Sequence, residues 1–211
     1  MKIVVFGSTG GTGRLILAEA IRRDHDVTAF ARRASALDDV TGLTGVVEGD
    51  GRDRGQVMKA VTGQQAVIMT VSGRGEPGAV EGIADAVTAA MAAAGVSRLV
   101  ATSSYAIVAT RPYVAAPLVR RIFAKAFADQ QAADRLITGT GLDWTIARGT
   151  RLTGKPARPA GQSSAGQSPA RQSTELFTKG PYSLSRAAYA IALLGLAEAG
   201  GQLRQVINVT G

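Results

Sequence analysis

Gly7-Ser8-Thr9-Gly10-Gly11-Thr12-Gly13 follows directly on the apolar run Lys2-Ile3-Val4-Val5-Phe6. It opens a stretch, Arg14 to Arg23, in which Leu15, Ile16, Leu17, Ala20 and Ile21 recur at helical spacing. The order is strand, glycine turn, helix. Glycine there permits a positive φ in a tight turn, lets the backbone approach a bulky anion, and lets helix and strand pack closely. The free N–H groups and dipole of the helix start favour negative charge, so the ligand such a turn suits best is a diphosphate. Thr9 and Thr12 add hydroxyl donors to the same turn.

Outward from this turn the chain repeats the alternation. Val27 to Ala31, Gly45 to Glu48 and Ala66 to Val71 read as further strands, with a short helix from Arg54 to Val61. Val80 to Ala94 is an alanine-rich helix that stops at Gly95, and Arg98 to Ala101 is a fifth strand running into Thr102-Ser103-Ser104. The pattern from Pro117 to Thr138 predicts one long helix with Leu118, Ile122, Phe123, Phe127 and Leu136 on its apolar side, interrupted by the polar patch Asp129-Gln130-Gln131. Trp144 to Ala147 reads as a sixth strand, Arg186 to Ala197 as a last helix and Gln205 to Val209 as a closing strand. Such alternation predicts an α/β fold of the Rossmann type, a doubly wound parallel sheet of about seven strands in a single domain spanning 1–211. Residues 153–174, rich in Pro, Gly, Ser and Gln, are expected to form a loop with little structure of its own, with a lid over a ligand as the functional alternative.

Composition excludes several classes of chemistry. The chain of 211 residues has no cysteine and one histidine. Thiolate zinc sites, disulfides and cysteine nucleophiles are therefore absent, and no metal site is expected. With no apolar run long enough for a membrane span and no export signal at Met1-Lys2, a cytoplasmic location is the default expectation. The net charge is +8, and all of the excess lies in residues 101–211, with 13 basic against 5 acidic side chains. In a fold of this kind that half builds much of the substrate side, which suits an anionic small molecule or a solvated basic face equally. Nucleic acid is disfavoured, because the basic residues are scattered without a run or an aromatic platform. Oligomeric state has no signature in the sequence.

The end of the second strand selects the cofactor. A carboxylate there would accept hydrogen bonds from an adenosine ribose 2′-hydroxyl; this chain has Phe30-Ala31-Arg32-Arg33 instead. Two guanidiniums attract a 2′-phosphate and bind its oxygens in forked geometry, so NADP(H) is preferred over NAD(H). Asp50, with Gly51 after it, is placed to meet the adenine amino group or, alternatively, to cap the following helix.

With these residues in place, the chain resembles the atypical short-chain dehydrogenase/reductases that include NmrA-like proteins and the biliverdin IXβ and flavin reductases. The likeness covers almost the whole length. It rests on the glycine turn, Val27-Thr-Ala-Phe-Ala-Arg32, Glu48-Gly49-Asp50, Ala66-Val67-Ile68, Gly95-Val96 and Thr102-Ser103-Ser104, and on Thr140-Gly-Leu-Asp-Trp-Thr-Ile-Ala-Arg148 and Leu184-Ser-Arg-Ala187. The resemblance implies NADP at Gly7 to Gly13 with its 2′-phosphate at Arg32. It implies Val71, Ser72, Gly73 and Arg74 along the cofactor's middle, and Ser104, next to Ser103, beside the nicotinamide. Arg151 and Asp134 stand where biliverdin and flavin reductases have pocket-lining histidines. Gly149 replaces a common proline, so the backbone there is expected to run differently.

Standard short-chain dehydrogenases pair Tyr-x-x-x-Lys, whose ammonium lowers the phenol's pKa for proton transfer. The pair is missing here: four residues after Tyr105, Tyr113 and Tyr189 come Ala109, Pro117 and Leu193, and the pair Tyr182 and Arg186 comes after the sixth strand. Hydride transfer to a flavin or quinone asks less of the protein, since the accepting ring spreads the new charge and positioning supplies most of the catalysis. On that reading Ser104 and Tyr105 orient nicotinamide and a planar or anionic acceptor, while Arg74 and Arg151 balance charge. A non-catalytic NADP(H)-binding redox sensor of the NmrA-like kind and a nucleotide-sugar epimerase or dehydratase are the competing classes. Ser103, more readily than Ser104, could instead cap a helix; His25 reads as a solvated turn residue and Trp144 as core.

Overall fold

The computed structural model describes residues 1–73, 76–109, 118, 121–154, 170–174 and 183–211. Strands β1 (Lys2–Phe6), β2 (Asp26–Ala31), β3 (Gly45–Glu48), β4 (Ala66–Met69), β5 (Arg98–Ser104), β6 (Asp143–Gly149) and β10 (Gln205–Thr210) form a parallel sheet in the order β3-β2-β1-β4-β5-β6-β10. An antiparallel edge strand, β8 (Arg171–Ser173), pairs with β10, and β7 (Arg151–Thr153) pairs with β9 (Ser183–Ser185) in a separate two-stranded ribbon. The seven parallel strands are those expected from the apolar runs. Three residues of the expected 153–174 loop instead form β8; 155–169, on which the lid expectation rests, lie outside the described residues.

Helices α1 (Gly11–Arg22) and α5 (Arg186–Glu198) cover one face, burying Leu17 and Leu193 against Ile3, Val5 and Ile207. Helices α2 (Arg54–Val61), α3 (Ala79–Ala94) and α4 (Ala124–Thr138) cover the other, with Val87, Met91 and Ile137 against Val4, Met69 and Leu99. Each such aliphatic side chain contributes about 1.5–3 kcal/mol on burial. Because the seven strands run parallel, all of them end at one edge, and strand order reverses between β1 and β4 there. Among the described residues no helix is long and apolar enough to cross a membrane.

The fourth helix departs from its expected pattern. Leu118, Ile122 and Phe123 are more than half exposed, and the face that α4 buries carries Asp129, Ala133, Asp134 and Ile137. Asp129 explains half of this: its carboxylate accepts the N–H groups of Val80 (3.1 Å) and Glu81 (3.0 Å), capping α3, whose own N-cap is Gly78 and brings no side chain. The patch that reads as an interruption is the polar face that joins two helices. His25 also differs from expectation. Its Nε2 lies 2.7 Å from Glu198, which the α1–α5 pairing carries over the turn, and its side chain is 12% exposed.

Candidate active site

The glycine turn sits at the carboxyl edge of β1. Gly7 has φ +78°, and a Cβ on it would lie 2.2 Å from the Thr70 carbonyl oxygen at the end of β4. A Cβ on Gly13 would lie 2.2 Å from the Gly7 carbonyl oxygen, so only glycine lets α1 start this close to β1. The buried Ser8 Oγ donates to the Phe30 carbonyl (2.7 Å), fixing the turn to β2. Helix α1 has no side-chain cap and no acidic residue in its first turn, which leaves its N–H groups available to an anion.

Around this turn the structure assembles most of the residues singled out from the sequence. Thr9, Gly10, Gly11 and Thr12 form its rim, and Gly10 donates its N–H to the Gly7 carbonyl at 3.0 Å. Arg32 and Arg33 leave β2 exposed, and neither has an ion-pair partner among the described residues. Asp50 follows β3, and Arg52 beside it, through hydrogen bonds from guanidinium and backbone, holds its carboxyl below the ordinary range. Asp53, not Asp50, caps α2, accepting the Gln56 N–H at 3.0 Å. Gly51 is buried against Ile83. Val71, Ser72 and Gly73 lead away from β4 beside Gly7; a Cβ on Gly73 would come within 3.0 Å of the Asp129 carboxylate. Arg74 lies outside the described residues.

A cleft of about 480 Å³ opens beside the turn, between Thr12 and Thr70 on one side and the ends of β5 and β6 on the other. Ser103, Ser104, Tyr105 and Arg151 all line it. The two serines exchange the roles weighed for them: Ser104 Oγ accepts the Ala106 N–H (3.3 Å) at the start of a short 3₁₀ turn, Tyr105–Ile107, while Ser103 Oγ donates to Asp134 Oδ2 at 2.8 Å. Strand parity explains the exchange, since adjacent residues of β5 face opposite sides of the sheet and only Ser103 faces α4. Gln130 Nε2 donates to Asp134 Oδ1 (3.0 Å) and to the Thr102 carbonyl (3.1 Å). Burial pushes the Asp134 carboxyl up, against the opposing pull of Gln130, Ser103 and the Arg148 charge.

Two features of the site were given no role from the sequence. Thr150 is 7% exposed, lines the cleft, and its hydroxyl has no hydrogen-bond partner among the described residues. A buried hydroxyl left in that condition costs about 1–3 kcal/mol until a ligand supplies a partner. Arg186, first residue of α5, runs beside the glycine turn, with its Cδ 3.5 Å from where a Gly11 Cβ would stand. This guanidinium comes from 175 positions away, which no local spacing rule can detect. Gly149 is explained by Tyr189, whose ring would lie 3.0 Å from a Cβ there; the fully buried phenol donates to the Ala147 carbonyl (2.6 Å), and burial raises its pKa. Tyr189 therefore packs under Gly149 with its phenol committed to the Ala147 carbonyl. No group of three or more His, Cys, Asp or Glu among the described residues could hold a metal ion.

A sequence profile of the family described as NAD(P)H-binding matches residues 7–190, from the first glycine of the turn into α5. The chain belongs to this family. Solved structures agree on the fold of this NAD(P)H-binding protein. A short-chain dehydrogenase/reductase from Veillonella parvula in complex with NADP superposes with TM-score 0.80 at 18% identity, covering 99% of this chain and 94% of that one. The oxidoreductase YlbE from Lactococcus lactis gives 0.80 at 20%, covering 100% and 91%. ChuY, an anaerobilin reductase from Escherichia coli O157:H7, gives 0.79 at 24%, covering 100% and 97%. The fold is thus shared with proteins described as short-chain dehydrogenase/reductases, and the family is the NAD(P)H-binding one.

Proposed function

We infer that this NAD(P)H-binding protein is an NADP(H)-dependent reductase that passes a hydride to a flavin, a quinone or a similar conjugated, planar or anionic acceptor. The observation that supports the reading is the open cleft: it continues from Thr12 and Thr70 of the dinucleotide turn to Ser104, Arg151 and the Thr150 hydroxyl, which has no partner among the described residues, and forms one space in which nicotinamide and acceptor would meet. The E. coli ChuY likeness, to a protein described as a reductase, supports the same class.

The residues fit the cofactor. The Gly7–Gly13 turn, the start of α1 and Arg186 would hold the diphosphate; the exposed Arg32 and Arg33 would hold the 2′-phosphate, which would make NADP(H) the preferred form; Asp50 and Gly51 would meet the adenine. Val71, Ser72 and Gly73, which follow β4, would line the middle, and Ser103 and Ser104, which line the cleft, would flank the nicotinamide end. When bound, the cofactor supplies the hydride. Ser104 and Tyr105 orient the acceptor, Thr150 donates its free hydroxyl to it, and Arg151, exposed at the cleft wall, balances its negative charge. The acceptor ring spreads the added charge, which is why the absent Tyr-Lys pair is tolerated.

The test is steady-state oxidation of NADPH and NADH with FMN, FAD, simple quinones and a linear tetrapyrrole. Turnover with at least one acceptor, and a lower KM for NADPH than for NADH, is expected. Saturable NADP⁺ binding with no oxidation above background for any acceptor rejects the reductase and leaves a sensor.

A further inference from the structure

Reduction of a conjugated acceptor consumes a proton as well as a hydride, and the Tyr-x-x-x-Lys pair that standard relatives use for this is missing from the sequence. Among the described residues the cleft has a different acid behind its wall. Asp134, 7% exposed, has hydrogen bonds among the described residues to two side chains that line the cleft: Ser103, whose hydroxyl lies 2.8 Å from Oδ2, and Gln130, whose amide lies 3.0 Å from Oδ1. A carboxyl whose only hydrogen-bonded exits are one hydroxyl and one amide can move a proton through just one of them. The amide donates N–H bonds and cannot relay; the serine can, giving up its own proton while it takes one from the acid.

Resting on the reductase reading above, we propose that Ser103 is the proton donor to the acceptor and that Asp134 is the buried reservoir that recharges it. The acceptor gains two electrons and one hydrogen as hydride from the reduced nicotinamide dinucleotide, which leaves an extra electron pair on a ring heteroatom. That heteroatom takes the Ser103 hydroxyl proton: the serine O–H bond breaks and a heteroatom–H bond forms. In the same motion the Asp134 Oδ2–H bond breaks and its proton moves to Ser103 Oγ. Asp134 is left as a carboxylate hydrogen-bonded to Ser103 and Gln130, and takes a proton from solvent once the product leaves. Ser103 touches the acceptor; Asp134 acts through it.

The surroundings suit an acid that must be neutral before the step and charged after it. Asp134 is packed by Ser103 from β5, Arg148 from β6, and Gln130 from its own helix, with the Tyr189 phenol of α5 close enough to feel its charge. Burial favours the protonated form, and Arg148 together with the two hydrogen bonds makes the charged form accessible. Asp129, one turn earlier, is committed to the α3 cap and does not compete.

The experiment joins kinetics to a direct titration. With whichever acceptor turns over, wild type, Asp134→Asn and Ser103→Ala are compared between about pH 5 and pH 9. A positioned acid contributes about 10²–10⁴-fold, so each variant is expected to lose about 10²-fold in kcat with KM for NADPH within about twofold. The alkaline fall in the wild-type kcat should disappear in Asp134→Asn. In parallel, ¹³C-carboxyl NMR of the cofactor-free protein should show Asp134 titrating above the ordinary aspartate range, and higher still in Ser103→Ala, which removes a bond to the charged form. Turnover with the same pH profile in Asp134→Asn overturns the relay and leaves the reductase standing. An ordinary Asp134 titration also overturns it, even if Asp134→Asn fails to fold. Wild type without turnover on any acceptor removes both.

Discussion

Gly11 and Gly13 stand two residues apart in one turn, yet the structure predicts opposite outcomes for the same substitution. A methyl group on Gly13 meets backbone on three sides, 2.2 Å from the Gly7 carbonyl oxygen, 2.8 Å from the Ser8 Cα and 2.9 Å from the Gly7 carbonyl carbon. Cβ atoms do not sit closer than 3.0 Å to other heavy atoms, so α1 must move away from β1 by about 0.8 Å, and the atoms in the way cannot rotate aside. Overpacking of that kind costs about 3 kcal/mol, the upper end of the usual range. For a chain of 211 residues this lowers Tm by about 6–12 °C. A methyl on Gly11 meets only the flexible Arg186 side chain, at 3.5 and 3.7 Å, which is ordinary contact. Gly11→Ala should keep or slightly raise Tm, alanine being favoured over glycine in a helix by up to about 1 kcal/mol. It should nevertheless weaken NADP⁺ binding by at least about tenfold, because the methyl stands where the diphosphate approaches. Thermal melts and isothermal titration calorimetry on both variants check the pair. A Gly13→Ala protein that melts within about 2 °C of wild type would show the steric argument to be wrong. Undiminished NADP⁺ affinity in Gly11→Ala would remove the turn from the cofactor site.

Three other expectations follow from the same geometry. Arg186→Ala should weaken NADP⁺ and NAD⁺ alike by about 10–100-fold, the worth of one charge-assisted bond, whereas Arg32→Ala should weaken NADP⁺ alone; calorimetry with both dinucleotides and with adenosine 2′-monophosphate separates them. Asp129→Ala leaves the Val80 and Glu81 N–H groups without their acceptor and should cost about 1–3 kcal/mol in urea unfolding, with the midpoint shifted and the slope unchanged. Glu19 is held down to about 2, chiefly by its hydrogen bond from Arg22 and further by Arg23, so its stabilisation is present above about pH 4.5 and is lost as pH falls toward 2. The gap in urea midpoint between wild type and Glu19→Gln should therefore be largest at neutral pH and close on acidification; a gap that widens in acid contradicts it.

What could be read ahead of the structure divides by the length scale of its cause. The seven parallel strands are written in local apolar runs, and the glycine turn in adjacent residues, so both were legible. β7, β8 and β9 are three residues each and largely polar or exposed, too short for any periodicity to register. β5 runs on through Thr102-Ser103-Ser104, residues whose composition suggests a loop, because β6 supplies a partner as far as Gly149. The polar face of α4 misleads for a related reason: Asp129 and Asp134 are buried because α3 and β5 present partners that only the tertiary fold brings near. Thr150 and Arg186 belong to the site by position alone, and the Tyr189 ring that makes Gly149 necessary is forty residues away.

Arg186 beside the first glycine turn has a consequence for folding. The guanidinium next to Gly11 comes from some 170 positions further along the chain, on a helix packed against α1. A coenzyme held by both, as proposed above, rewards only molecules in which the two helices are docked, so transient opening of α5 should become rarer in proportion to occupancy.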